Sequence, residues 1–132
     1  MDSHAKDVVR EMTRASDEER ITFPEVVGAL TKAGVERYHA DLVCASKTYY
    51  MPDGSFETTA CHATDAAAPA FSAAGVDAAV RAVQAQKIRY REFCRQIAAA
   101  GCVGYFVTLA GRCAVYYGRG GETHVERFPG AK

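Results

Sequence analysis

The chain has 132 residues, of which 48% are hydrophobic and 24% are charged. Sixteen Lys and Arg residues balance sixteen Asp and Glu residues, so the formal net charge is zero. This balance argues against a nucleic-acid-binding protein that relies on a global positive field. It equally argues against a polybasic protein that binds membrane surfaces. The length and the apolar content predict a single domain, residues 1–132, with its own hydrophobic core.

The sequence carries no sign of secretion or of a membrane span. Its first residues, MDSHAKDVV, lack the apolar stretch of a secretory leader. The longest uncharged run, residues 96–111, is shorter than the roughly 20 residues that a spanning helix needs. The five cysteines form no CxxC motif, which favours free thiols in a reducing compartment. We therefore expect a cytoplasmic protein, and we predict neither a metal nor a cofactor.

The chain resembles itself when it is shifted by 67 positions. The segment ITFPEVVGALTKAG, residues 21–34, aligns with IRYREFCRQIAAAG, residues 88–101. Both segments have apolar residues at the spacing of an amphipathic helix, and both end at a glycine. This pattern predicts an internal duplication with pseudo-repeats 1–65 and 68–132. A chance similarity between two ordinary helix-to-strand passages is the alternative.

The predicted elements follow the same order in each half. Helices are expected near residues 4–18, 23–33, 73–86 and 90–100, and strands near residues 36–43, 46–51, 55–60, 102–109, 113–118 and 122–128. The Ala-rich residues 61–71 are expected to link the halves. Three strands joined by tight turns form an antiparallel meander, whose apolar face must be covered. The predicted fold class is therefore α+β, with an internal duplication of an ααβββ unit and a mainly antiparallel sheet with helices packed on one face.

Several segments resemble a known family from about residue 20 to the C-terminus. They are ITFPEVVGAL, AGVERYHADL, KTYYMPDG and VGYFVTLAGRCAVYYGRGGETHVERFPGAK. They are similar to the YbcV-like bacterial proteins, domain-of-unknown-function family number 1398, whose members are often labelled "phage envelope protein". Some members lie in prophages. The resemblance implies a bacterial or prophage-associated protein and assigns no catalytic residue.

Two tyrosine pairs, Tyr49-Tyr50 and Tyr116-Tyr117, occupy equivalent positions in the two halves. Adjacent strand residues point to opposite faces, so one Tyr of each pair should pack inward and the other should face outward. The outward tyrosines could line a groove between the halves. Simple packing is the more common role of a strand tyrosine.

A possible acid–base pair lies on the first predicted strand. His39 and Asp41 alternate with apolar residues and therefore share one strand face. There the carboxylate could orient the imidazole as a general base requires. Two solvated polar side chains on an open face are the alternative.

Two further histidines give weaker signals. His124 lies between Glu122 and Glu126 on one predicted strand, but three such positions on one strand are a weak metal signal. A solvated or edge-strand histidine is the alternative. Cys61-His62 has no third partner in the sequence, so a Cys–His nucleophile site is not expected.

Two functions stay open at this point. The first is a non-enzymatic accessory or interaction protein, which fits the small size and the missing catalytic motif. The second is a small-molecule binder or enzyme with a cleft at the pseudo-twofold between the repeats. The candidate ligand or partner surface comprises His39, Asp41, Tyr49, Tyr50, Tyr116, Tyr117 and His124. The partner would be an unknown protein or a small ligand, and a homodimer is the expected self-association because twofold assemblies are the most common.

Overall fold

The computed structural model describes residues 1–129 and contains four helices and six strands. The helices are α1 (Ser3–Asp17), α2 (Phe23–Lys32), α3 (Ala73–Gln84) and α4 (Tyr90–Ala99). The strands are β1 (Arg37–Asp41), β2 (Ser46–Tyr50), β3 (Phe56–Ala60), β4 (Cys102–Thr108), β5 (Cys113–Gly118) and β6 (Thr123–Arg127). Each predicted element is present, with ends that differ from the prediction by two residues at most. The α+β fold class is confirmed.

All six strands form one antiparallel sheet in the order β3-β2-β1-β4-β5-β6. Each meander supplies three neighbouring strands, and the two meanders meet where β1 pairs with β4. The middle of that contact pairs His39 with Phe106. The long-range pairing of β1 with β4 therefore joins the two halves of the sequence into one continuous sheet.

The helix ends follow from local sequence chemistry. The Thr22 backbone N–H donates to Glu25 Oε1 at 2.9 Å, and the Ser72 hydroxyl accepts from the first turn of α3 at 3.0 Å. Such caps satisfy N–H groups that have no partner inside the helix. Gly34 and Gly101 follow α2 and α4, and both have φ of +86°. This left-handed backbone conformation ends each helix and favours glycine.

Burial along the strands alternates with a period of two. In β1, Tyr38 and Ala40 are buried, whereas their neighbours are exposed or half-buried. Two tyrosine contacts recur in the core: Tyr38 packs against Tyr49 with ring centroids 5.0 Å apart, and Tyr105 packs against Tyr116 at 5.3 Å. The fully enclosed helix residues that meet this core include Val9, Leu30, Val76 and Ile97.

The segment between the halves, residues 61–72, has no helix or strand. It is fastened to the end of α4, because Ala68 N–H donates to the Ala98 carbonyl at 2.9 Å and Ser72 N–H donates to the Ala100 carbonyl at 2.7 Å. Within residues 1–129, no helix combines the length and the apolar character that crossing a membrane would require.

Candidate functional site

One set of alternate strand residues forms a surface that we call the His39 face. Its side chains are exposed or half-buried, apart from the buried Gly104. The face consists of Arg37, His39 and Asp41 on β1; Ser46, Thr48 and Tyr50 on β2; Phe56, Thr58 and Ala60 on β3; Gly104, Phe106 and Thr108 on β4; Cys113, Val115 and Tyr117 on β5; and Thr123, Val125 and Arg127 on β6. Four of the seven sequence-predicted site residues lie on it: His39, Asp41, Tyr50 and Tyr117.

A single row of residues crosses the middle of this face. The strand register aligns Thr58, Thr48, His39, Phe106, Val115 and Val125 across all six strands. The half of the row on the first meander is polar, and the half on the second meander is apolar. Phe106 is 43% exposed and Val125 is 49% exposed. The second half of the row is thus an apolar strip that faces solvent.

His39 is held at the centre of the row by two aromatic neighbours. Its ring stacks on Phe106 with centroids 4.4 Å apart, and its Nε2 lies 2.7 Å from the Tyr117 hydroxyl. Burial lowers the pKa of His39 and so favours the neutral imidazole, whose Nε2 can accept a hydrogen bond from the Tyr117 hydroxyl. The Tyr117 hydroxyl reaches His39 over Gly104, where a Cβ atom would collide with it. The sequence gives no direct signal for this use of Gly104.

The carboxylate of Asp41 stabilises a turn and does not orient the His39 imidazole. Its carboxylate accepts the backbone N–H of Val43 at 2.9 Å and that of Cys44 at 3.2 Å, which fixes the turn after β1. Burial alone would raise the pKa of Asp41, but the hydrogen bonds from Cys44 and Val43 outweigh it and lower the pKa. The imidazole of His39 is bound to Tyr117 instead. The expected arrangement, a carboxylate that orients His39, is therefore not the one found among residues 1–129.

The two tyrosine pairs divide between the two sides of the sheet. Tyr49 is 1% exposed and Tyr116 is 7% exposed, so both belong to the core. Tyr50 and Tyr117 lie on the His39 face, and the Arg37 guanidinium lies 4.2 Å from the centre of the Tyr50 ring. The inward tyrosines therefore stabilise the core, and only the outward ones are available to a partner.

His124 lies on the opposite side of the sheet, beside α3. Its Nε2 is 3.6 Å from Asp77 and 3.9 Å from Glu126, and these three side chains could converge on a cation. The Arg81 guanidinium already binds both Glu126 oxygens, at 2.6 and 2.7 Å. The positive charge at this cluster is thus supplied by an arginine. Glu122, the other expected neighbour, instead accepts the backbone N–H of Gly120 at 3.0 Å.

The sequence-based candidates do not include a largely buried polar cluster that draws its residues from both halves of the chain. We call it the Lys47 cluster, and it comprises Asp17, Lys47, Cys61, His62, Tyr90 and Cys94. Lys47 is only 3% exposed, and its Nζ lies 4.7 Å from the centre of the Tyr90 ring. Burial lowers the pKa of Lys47, while nearby Cys61, Cys94 and Asp17 partly offset this effect.

The third partner that the sequence did not show for His62 is Asp17. The His62 Nδ1 lies 2.8 Å from Asp17 Oδ1, and the His62 backbone N–H donates to the same carboxylate at 3.1 Å. The His62 ring also meets Tyr90 edge-on at 5.4 Å. Burial raises the pKa of Cys61, so this residue is a thiol near neutral pH and not a thiolate nucleophile.

One sequence signal could have found Lys47. Because it is two residues from Tyr49 on the same strand, it must share the face of that tyrosine. A lysine two residues from an inward tyrosine is therefore itself inward. No comparable signal exists for Asp17, since only the packing of α1 brings it to His62.

Comparison with known proteins gives a family without an assigned activity. No curated protein matches the chain. A family model described as "Protein of unknown function (DUF1398)" matches residues 62–126. That segment runs from His62 through α3 and α4 into β6. The chain therefore belongs to the DUF1398 family.

Proposed function

We propose that this chain is a non-enzymatic interaction protein that forms a homodimer through the His39 face. The observation that carries the proposal is the apolar strip on the His39 face, in which Phe106 and Val125 are exposed and Val115 is half-buried. Exposed apolar surface of this kind commonly marks a protein interface. A bacterial, prophage-associated and cytoplasmic setting, expected from the family resemblance and from the composition, belongs to the same proposal.

The proposal includes an internal duplication, in which the helices cover only the other side of the sheet. The pairing of His39 with Phe106 supports it, because these residues are separated by the 67-residue offset of the repeats. Two contacts between helices and strands also support helices on that side of the sheet. Thr13 on α1 lies 2.8 Å from the Tyr49 hydroxyl, and Tyr90 on α4 lies 3.1 Å from the Tyr105 hydroxyl. Both strand tyrosines belong to the side opposite the His39 face.

The charges on the His39 face favour a second copy as its occupant. Arg37 and Arg127 lie in one outer row, and Asp41 lies in the opposite outer row. A twofold axis along the central row would place the basic row of one copy over the acidic row of the other. The same axis would place the apolar strip of one copy against the apolar strip of the other. Burial of apolar area would supply the driving force, and the charges would set the register.

The size of the face predicts the strength of the dimer. Six strands about 4.8 Å apart, each with at least five residues of about 3.4 Å, give a projected area of about 500 Å² per copy. Two copies would together bury about 1,000 Å², which is near the lower limit of a specific interface. The expected dimer is therefore weak and reversible.

The alternative, a small-molecule site in a cleft between the halves, has less support. The rings of His39 and Phe106 fill the junction on one side, and those of Tyr38 and Tyr105 contact each other on the other side at 6.5 Å. A surface recess of about 360 Å³ lies between α1 and α2. A second, of about 310 Å³, lies at one end of the β1–β4 junction and is lined by the turn after β1, the linker and the start of β4.

Matched surface variants test the proposal. Phe106→Asp places a charge in the apolar strip, and Val43→Asp makes the same kind of change at a 77% exposed residue in the turn after β1. Sedimentation equilibrium should show self-association for wild type and for Val43→Asp, and a monomer for Phe106→Asp. Equal association of both variants would contradict the proposed interface.

A further inference from the structure

Lys47 is a buried amine without a counter-ion at contact distance. None of the ion pairs found among residues 1–129 involves it. A buried ammonium costs several kcal/mol unless it is paired, so the neutral form is favoured. Burial accordingly lowers the pKa of Lys47. A neutral lysine amine is a nucleophile, whereas an ordinary surface lysine is protonated near neutral pH.

The imidazole of His62, which can accept a proton, contacts the same Tyr90 ring as the Lys47 amine. Tyr90 contacts both Lys47 Nζ, at 4.7 Å, and the His62 ring, at 5.4 Å between centroids. Asp17 fixes Nδ1 of that imidazole, and Nε2 is enclosed without a hydrogen-bond partner in the described part of the chain. An imidazole oriented by a carboxylate is suited to transfer protons at its other nitrogen.

The fold does not require these polar groups. At the 67-residue offset, Lys47, Cys61, Tyr90 and Cys94 correspond to Ala114, Phe128, Phe23 and Val27. At the counterpart position, Phe23 from the first half and Phe128 from the second half pack edge to face at 5.4 Å. The same structural position is therefore filled by apolar side chains at one site and by polar side chains at its counterpart. This comparison uses the proposed duplication, but the chemistry of the cluster does not depend on it.

Access to the amine is restricted, because Lys47 is only 3% exposed. We therefore expect a small reagent to reach the amine more readily than a large one.

We propose that Lys47 is a reactive amine that binds small uncharged aldehydes covalently as an imine, in a site whose counterpart at the 67-residue offset is filled by apolar side chains. The amine lone pair attacks the carbonyl carbon, a C–N bond forms and the C=O π electrons move to oxygen. His62 Nε2 accepts the proton from nitrogen and returns it to oxygen. Loss of water then gives the C=N bond, with no oxidation or reduction.

Reductive trapping tests this site directly. The native protein is treated with propanal and cyanoborohydride near neutral pH, and the modified lysines are located by peptide mass spectrometry. The exposed Lys32 and Lys87 serve as internal references. Lys47 should be alkylated several-fold faster than either reference, because burial lowers the pKa of its amine. If Lys47 reacts no faster than the references, or only in denaturant, the proposal is wrong.

A pair of histidine variants tests the role of the base. His62→Gln should slow the trapping of Lys47 several-fold and leave Lys32 unchanged, while His124→Gln should leave both rates unchanged. Circular dichroism checks that each variant is folded. An unchanged Lys47 rate in folded His62→Gln would overturn the proton-transfer step.

Discussion

The imidazole of His39 stacks on the ring of Phe106, with centroids 4.4 Å apart and planes inclined by 20°. These two residues face each other at the centre of the β1–β4 contact, where the two meanders join. On the other side of the same contact, Tyr38 and Tyr105 meet edge to face. Aromatic contacts therefore stabilise the junction from both sides of the sheet.

The two helix-ending glycines should respond differently to alanine. Gly34 and Gly101 share a φ of +86°, so alanine costs about 1–2 kcal/mol at either position. At Gly101 the new methyl group would also collide with the backbone of Ala70 and Phe71, whereas at Gly34 its nearest neighbour is 3.5 Å away. Gly101→Ala should therefore lower the free energy of unfolding at least twice as much as Gly34→Ala, as measured by urea denaturation. Equal losses would show that the linker does not pack on α4 as described.

A buried tyrosine hydroxyl gives a second prediction. Thr13 donates to the Val9 carbonyl at 2.9 Å, so the Tyr49 hydroxyl, 2.8 Å away, donates to Thr13. Tyr49→Phe removes this hydrogen bond and should cost about 1 kcal/mol of unfolding free energy. Tyr50→Phe is the matched control on the His39 face and should change it by less than about 0.5 kcal/mol. Chemical denaturation of both variants checks this, and a larger loss for Tyr50→Phe would contradict the assignment of the two faces.

Buried Lys47 should give the stability a dependence on alkaline pH. Burial lowers its pKa in the folded state, so between that lowered pKa and the ordinary 10.5 the unfolded chain binds more protons. The contribution of Lys47 to the free energy of unfolding should therefore rise with pH in this window, by up to about 1.4 kcal/mol per pH unit. Buried tyrosines and cysteines, whose pKa values burial raises, contribute in the opposite direction in all variants. Lys47→Met should lose this rise, and exposed Lys87→Met should keep it.

Denaturation of wild type and both lysine variants at several pH values checks the prediction. The wild type should gain stability relative to Lys47→Met as the pH is raised towards about 10. A difference that is constant with pH would mean that Lys47 has an ordinary pKa in the folded protein.

The elements could be predicted because their signals are local. The caps at Thr22 and Ser72 and the glycines at 34 and 101 mark helix ends in the sequence itself. Alternation predicts the strands in the same way, since neighbouring side chains point to opposite faces. The order of the strands depends on the β1–β4 pairing, which joins distant residues and has no local signal.

The candidate site was predictable only in part, for the same reason. His39 and Asp41 are two residues apart on one strand, so the sequence predicts that they share a face. The sequence does not predict that the carboxylate of Asp41 accepts backbone N–H groups of the turn after β1. Asp17 meets His62, and Asp77 meets His124, only because helices pack beside strands that are distant in sequence. Such contacts follow from tertiary packing, which a single sequence does not specify.

Sedimentation velocity of the wild-type chain over a wide range of concentrations tests the homodimer most directly. We expect a reversible shift, as concentration rises, from a 14.2 kDa monomer towards a particle of twice that mass. A chain that sediments as a monomer at every concentration would contradict self-association through the His39 face.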